Sequence, residues 1–462
     1  MRVAATSAKK TRSAARAAAG APSAKRASPA AADAPPGPAG ASRRAKLWRY
    51  AKQLGPGLVT GASDDDPSGI GTYSQVGAQF GTGMLWTMLF SYPLMVSAQL
   101  ASARIGRITG RGIAGNLRRH VHPALLHPLV WALVLANTIN IGADLGAMGE
   151  AATLVLGGPA LAYTVALGAV SLGLQVWLPY SRYVRVLKWL CLAVLAYVAT
   201  AFAVHVPWGR VLHDTLVPRI ELTPAFVTGL VAVLGTTISP YLFFWQASQE
   251  VEEMKGGTPE KPLKQAPRGA SRHLERIGVD TWFGMGVSNV IAFFIMLTAA
   301  ATLHARGIVD VDSAGRAAEA LRPIAGDLAF GLFALGIVGT GLLAVPLLAG
   351  SAAYGVGEAM GWRTGLEHAP RRARHFYGVI AAATLIGIAL NFAHVNPVRA
   401  LYWSAVLNGV IAAPILAAIL VVAARRDVMG DFAISKRLRV AGWLTTAAMV
   451  ACLVAMATVH AA

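Results

Sequence analysis

Residues 55–71 read Gly-Pro-Gly-Leu-Val-Thr-Gly-Ala-Ser-Asp-Asp-Asp-Pro-Ser-Gly-Ile-Gly, and residues 234–242 read Leu-Gly-Thr-Thr-Ile-Ser-Pro-Tyr-Leu. Each sits inside an apolar segment, and each carries a proline near the middle, Pro67 and Pro240. Proline lacks a backbone donor and clashes with the preceding turn, so both helices should open there. Opened backbone at membrane depth survives only where it is buried in protein or lines a watery cavity. The freed carbonyls are hard oxygen ligands. An aspartate at a helix centre costs about 2.5–3.5 kcal/mol on insertion scales, so Asp66, beside the first break, should have a use. With freed carbonyls and hydroxyls it makes an anionic, oxygen-rich cage for a divalent ion. The competing reading, mere kinks with Asp64, Asp65 and Asp66 at a water interface, suits one broken helix better than two matching ones.

The rest of the chain places these breaks in a membrane. Of 462 residues 55% are hydrophobic and only 14% charged, against roughly a quarter charged in an ordinary soluble domain. Mean hydropathy is +0.52. Apolar segments fall at about 55–80, 83–105, 128–156, 160–178, 184–206, 224–247, 280–304, 328–359, 376–393, 400–424 and 438–459. Those are eleven candidate transmembrane helices, and internal Gly or Pro marks the first, sixth and eighth as candidates for interruption. Taking the N-terminal side as inside, the inner segments hold 35 of the 41 Lys/Arg and the outer loops six. A missed or invented span in mid-chain would scramble that asymmetry, so the positive-inside rule supports eleven spans with the N-terminus cytoplasmic and the C-terminus external. The expected location is the plasma or inner membrane, with the lipid bilayer as partner.

The formal charge of +19 does not imply nucleic acid, because twelve of the cations lie in residues 1–52 with one acid, Asp33, amid Ala, Ser and Pro. Residues 1–50 read as a disordered basic cytoplasmic tail. The segment has no apolar stretch of the secretory-signal kind; a transit peptide is the alternative. Cys191 and Cys452 lie in apolar runs without metal-ligand or redox spacing. The polar loop 250–279 divides five spans from six. That division suggests a first five-helix repeat over 51–206, a second over 207–424 and an eleventh helix in 425–462. An odd number of helices per repeat forces the second to insert upside down.

These residues resemble a family. The run Gly55-Pro-Gly through Asp66-Pro67-Ser68-Gly69 to Gly77-Ala-Gln-Phe-Gly resembles the first helix of the NRAMP divalent-metal transporters, whose motif is Asp-Pro-Gly-Asn. Gly235-Thr-Thr-Ile-Ser-Pro-Tyr resembles their sixth helix, with its Met-Pro-His motif. Asp144-Leu145-Gly146 resembles the Asp-Leu-Ala-Glu run of the third helix, and Pro414 followed by Arg425-Arg-Asp-Val-Met-Gly the close of the tenth. The resemblance implies an all-α LeuT-type fold: two inverted five-helix repeats, helices 1 and 6 broken, plus an eleventh helix. It also implies a transporter rather than an enzyme. No His-Glu-xx-His or Gly-x-Ser-x-Gly stretch argues otherwise.

By position, the resemblance makes Asp66 the metal-binding carboxylate and the carbonyls of Ser63 and Thr236 backbone ligands. Gly69 replaces the family's ligand Asn, and Ser239 its ligand Met. Soft sulfur favours Mn, Fe, Co, Ni or Cd, whereas Mg²⁺ prefers oxygen and keeps several waters. Ser239 therefore hardens and enlarges the site, which resembles the NRAMP-related magnesium transporters and implies Mg²⁺ and Mn²⁺ as cargo, with no cofactor besides the transported ion. The alternatives are a proton-coupled Mn²⁺/Fe²⁺ symporter of ordinary NRAMP type and a LeuT-fold carrier of a small organic solute. Tyr241 and Gln246 replace the two histidines of helix 6, and Ala147 the glutamate of helix 3. The proton relay is thereby thinned to Asp66 and Asp144, and uptake is expected to couple weakly or not at all to protons.

Other polar residues carry weaker signals. Glu150 lies six residues beyond Asp144, on a different helix face. Asn408 is either a ligand or support near the site, or a helix–helix hydrogen bond. Asn137, Asn140, Asn289 and Thr298 read as packing contacts. Asp64 and Asp65 either line a vestibule that concentrates cations or form a solvated turn. His120, His122 and His127 read as an interfacial loop.

Overall fold

The computed structural model describes residues 60–61, 64–178, 191–255, 260–366, 368–393 and 395–461. The basic tail, residues 55–59, Ser63 and the basic 182–188 segment lie outside the described residues. Among those described, all regular structure is helical. Helices fall on each of the eleven apolar segments, the first and fifth being described only in part. Among the described residues, eight helical stretches are individually long and apolar enough to cross a bilayer.

The first interrupted segment is helical at Thr60, Gly61 and Asp64, bends at Asp65 and Asp66, and resumes as α1 (Pro67–Phe80). A turn of 109° leads into α2 (Trp86–Thr109), and the short α3 (Ile113–His120) joins it to the long α4 (Pro123–Leu156). Next come α5 (Ala160–Trp177), α6 (Leu195–Ala203) and α7 (Trp208–Leu216). The second interrupted segment forms α8 (Pro224–Thr237) and α9 (Pro240–Lys255), parted at Ile238 and Ser239. The chain continues as α10 (Ala270–Thr302), two short helices α11 (Ala314–Glu319) and α12 (Arg322–Ala325), α13 (Ala329–Met360), α14 (Arg374–Leu390) and α15 (Pro397–Ala424). A single turn, α16 (Arg426–Met429), precedes α17 (Lys436–Ala461).

Proline alone does not decide where a helix opens. Pro93, Pro128, Pro346 and Pro414 all lie inside continuous helices. The expectation of an interrupted eighth segment is thus corrected, since α13 runs through Pro346. At the two real breaks the residue before proline is polar and satisfies freed backbone. Asp66 caps α1, its Oδ1 accepting from the Gly69 amide at 2.7 Å, with Pro67 at the first helical position where no donor is needed. The Ser239 hydroxyl instead contacts the last carbonyls of α8, those of Thr236 at 2.7 Å and Gly235 at 2.9 Å. Val345, which precedes Pro346, has no such group.

The polar 250–279 stretch is largely helix extension, with α9 ending at Lys255 and α10 starting at Ala270. Its charges tie the two helix ends together. Arg276 pairs with Glu250 at 3.1 Å and Glu253 at 2.7 Å, and Glu260 pairs with the buried Arg107 of α2.

Packing separates two groups of helices. In one, α1 lies on α10, and α2 on α9 and α10; in the other, α4 lies on α13, α14 and α5. Helix α15 touches both, packing on α8 and on α4. The α8–α15 crossing requires a glycine: a Cβ at Gly235 would stand 2.0 Å from the Ala405 carbonyl oxygen and 2.5 Å from the Gly409 amide nitrogen. The two breaks meet where the Tyr241 hydroxyl reaches Asp66.

Candidate metal site between the broken helices

The site grows from the capping residue of α1. Asp66 is buried; while its Oδ1 holds the Gly69 amide, its Oδ2 accepts from the Tyr241 hydroxyl at 3.2 Å. That bond joins the two breaks directly. Ser239 and the Thr236 carbonyl lie just before Tyr241 in the chain, at the opened end of α8. A carbonyl has two lone pairs and a hydroxyl oxygen two more, so accepting or donating one hydrogen bond leaves both atoms able to ligate.

Helix α4 closes another wall. Asn140 and Asp144 stand one turn apart and are fully buried. Asn140 faces Asp66, and its Oδ1 accepts from Ser404 of α15 at 2.7 Å. The Ser404 hydroxyl also lies 3.3 Å from that of Ser68, the second residue of α1. Asp144 lies toward Asp66 and the Ser68 amide, and neither of its oxygens makes a well-formed hydrogen bond among the described residues. Asn408, one turn beyond Ser404 on α15, is buried with its Oδ1 unpartnered among the described residues.

Asp64 and Asp65 are buried rather than solvated, which removes the solvated-turn reading. Ser288 of α10 serves both, donating to Asp64 Oδ2 at 2.9 Å and lying 3.3 Å from Asp65 Oδ1. Four carboxylates, Asp64, Asp65, Asp66 and Asp144, are thus withdrawn from water. No ion pair reaches any of them among the described residues. Leaving buried carboxylates ionised without partners is costly, so the cluster demands protons or a cation. Around Asp66 the donor set is carboxylate, hydroxyl and carbonyl oxygen, the chemistry of a hard ion. Among the described residues no three His, Cys, Asp or Glu side chains converge as a resident metal centre would require.

Other expected residues fall at increasing distance. Gln246 is buried on α9, where its Oε1 accepts from Thr60, tying the first half of the first broken segment to α9. Glu150 is not brought to the site. It lines a separate cavity with Gly146, Thr164 and Asn391 and faces the Ala314 backbone, because six residues past Asp144 turn it away. Asn137, Asn289 and Thr298 make packing bonds, to the Leu348, Met88 and Tyr197 carbonyls respectively. His120 contacts the Asn116 carbonyl, and His122 caps α4. A cavity of about 400 Å³ lies at the far end of α1 from Asp66, lined by Gln75, Gln79, Thr228, Asp310 and Tyr402.

The residues that sequence reasoning missed are Ser68, Asn140, Ser288 and Ser404. Ser404 stands four residues before Asn408, and Asn140 four before Asp144, so helical spacing from the residues already singled out would have found both. Ser288 carries no such signal.

Comparison with known proteins finds likeness along most of the chain. The family model described as Natural resistance-associated macrophage protein-like matches residues 57–458. A "Divalent metal cation transporter MntH" of Klebsiella pneumoniae (strain 342) is 27% identical over 425 residues, 89% of this chain and 94% of that protein. One of the same name from Yersinia enterocolitica is 29% identical over 317 residues, 66% of this chain and 71% of its own length. Among solved structures, an Eremococcus coleocola manganese transporter bound to an aromatic bis-isothiourea compound superposes with a TM-score of 0.71 at 16% identity, covering 91% of this chain and 88% of that one. The nucleobase-cation-symport-1 transporter Mhp1, in a closed conformation, superposes with a TM-score of 0.54 at 14% identity, over 89% and 94% of the two chains.

Proposed function

Because the chain belongs to the Nramp family of membrane transporters, with their LeuT-type fold, we propose that it carries divalent metal cations across the plasma membrane, Mg²⁺ and Mn²⁺ foremost. The observation that carries this is the meeting of Asp66 with Tyr241 across two opened helices, in a lining of oxygen donors and buried carboxylates that have no basic partner among the described residues. The ligands are Asp66, the carbonyls of Ser63 and Thr236, and the Ser239 hydroxyl; Asp144, Asn140 and Asn408 stand behind them. Gly69 contributes its amide to Asp66 and no ligand of its own. With Ser239 in place of a thioether, the ion is not dehydrated by soft sulfur, and Mg²⁺ can keep part of its water.

The membrane arrangement belongs to the same reading: eleven spans with the N-terminus cytoplasmic and the C-terminus external. The repeats cover 51–206 and 207–424, the eleventh helix lies in 425–462, and residues 1–50 form a cytoplasmic tail. The cavity beyond Gln75 is the external approach, and the Thr60–Gln246 contact closes the way toward the cytoplasm. With Tyr241, Gln246 and Ala147 standing in place of the family's two histidines and glutamate, the proton relay is thinned, and transport couples weakly or not at all to protons.

Two observations favour an ordinary Mn²⁺ transporter instead: the names borne by the relatives, and Met148, whose sulfur packs beside Gly341 and near Pro67. Proteoliposome flux at clamped pH decides. Mg²⁺ and Mn²⁺ entry that is indifferent to an imposed pH gradient supports the proposal. Strong Cd²⁺ uptake without competition by Mg²⁺, weakened by Met148→Leu, overturns it.

A further inference from the structure

Far from Asp66, where α2, α9 and α13 end, a cavity of about 480 Å³ is lined by Arg111, Arg118, Arg119, Lys255, Glu358 and Trp362. None of the four cations makes an ion pair among the described residues. The one acid is already engaged: the Glu358 carboxylate accepts from the Gly112 amide at 3.1 Å and the Gly115 amide at 2.9 Å, capping α3. Arg118 is seated by the fold. Its guanidinium occupies the space a side chain at Gly361 would need, a Cβ there lying 1.9 Å from Nη1, and Gly361 has φ +75°, which only glycine adopts readily. Three guanidinium groups and an ammonium gather around one cavity whose lining, among the described residues, holds a single carboxylate, itself bound by backbone amides. Like charges gathered this way repel one another unless an anion joins them.

We propose that this cavity binds a phosphate-bearing anion. Guanidinium forks match phosphate oxygens in bidentate fashion, while lysine adds a point charge. Trp362, half exposed and tilted against His375 at 4.9 Å between ring centroids, supplies an apolar wall for whatever carries the phosphate. Two sources share this chemistry: the headgroup of an anionic phospholipid, since basic pockets between helix ends take such headgroups, and a soluble polyphosphate. The proposal is independent of the metal reading, because it uses none of the residues around Asp66.

The test uses the purified full chain in neutral detergent with EDTA, so that metal chelation plays no part. Inorganic pyrophosphate is titrated against chloride at equal ionic strength while the unfolding midpoint is followed. In a second arm the chain is placed in nanodiscs of phosphatidylcholine, with or without phosphatidylglycerol. At one hundred times its Kd a ligand should raise the midpoint by about 3 °C. The expected result is such a rise in one arm, which identifies the source. It should be lost in R118Q/R119Q, weakened but not lost in R118K/R119K, where the charge stays and the bidentate fork goes, and unaffected by R437Q/R439Q on the exposed start of α17. Should R118Q/R119Q fail to fold, K255Q is expected to weaken the response at least threefold. A wild-type chain that responds in neither arm overturns the proposal. So does a response lost equally in R437Q/R439Q, or one unchanged in both R118Q/R119Q and K255Q.

Discussion

Asp66 does two jobs with two oxygens, and Asp66→Asn separates them. Oδ1 caps α1 through the Gly69 amide at 2.7 Å, and Oδ2 meets the Tyr241 hydroxyl at 3.2 Å. Asparagine caps helices about as well as aspartate, so the substitution keeps the cap and removes a buried charge. Stability should hold or rise. The cation, however, loses its principal counter-charge. A divalent ion and a carboxylate about 4 Å apart attract with roughly 8 kcal/mol at an effective dielectric near 20. Most of that replaces lost hydration, and removing one partner of a buried charge pair typically costs about 2–5 kcal/mol. The Kd for Mg²⁺ or Mn²⁺ should therefore rise at least about 30-fold. Asp66→Ala should show the same loss and an additional fall in stability of about 1 kcal/mol from the missing cap. Calorimetric titration and thermal unfolding of the two variants, side by side with the parent chain, read both effects. Undiminished affinity in Asp66→Asn would refute the assignment of the ion to this carboxylate, and a marked drop in its unfolding midpoint would refute the capping argument.

Three further outcomes follow from the geometry. Ser239→Met restores a thioether where the hydroxyl now contacts Thr236 and Gly235, and flux competition should move toward Cd²⁺ over Mg²⁺ by about tenfold or more. Gly235→Ala forces a methyl against the Ala405 carbonyl and the Gly409 amide, both backbone and unable to yield, so the midpoint should fall by an amount equivalent to about 1–3 kcal/mol of overpacking. Ser288→Ala takes the shared hydroxyl from Asp64 and Asp65, and leaving buried acceptors unpaired should cost about 1–3 kcal/mol in chemical unfolding.

Two kinds of feature differed in how far they could be read along the chain. The breaks at Asp66-Pro67 and Ser239-Pro240 are local: a short polar side chain that bonds the backbone within four residues of itself, followed by proline, leaves its mark within a few positions. The internal Gly and Pro of the eighth segment leave α13 unbroken, since Val345 before Pro346 has no polar group to satisfy freed backbone. The burial of Asp64 and Asp65 was undecidable from their neighbours, since the Ser288 that holds them lies more than two hundred residues away. Glu150 was suspect from helical arithmetic alone, and the cavity beside Gly146 and Asn391 accounts for where it went.

The chain order by itself determined that this is a helical membrane protein, which segments are apolar, where two of them open, and that a carboxylate stands at one opening. Those properties depend on hydropathy, charge asymmetry and backbone chemistry acting over a turn or two of helix. Only the tertiary structure decided that the Tyr241 hydroxyl meets Asp66, that Ser404 links Asn140 to Ser68, and that four basic side chains surround one cavity beside α3. Such meetings depend on how closely backbones approach, as at Gly235, and on the relative rotation of packed helices. Neither quantity is carried by any single stretch of residues.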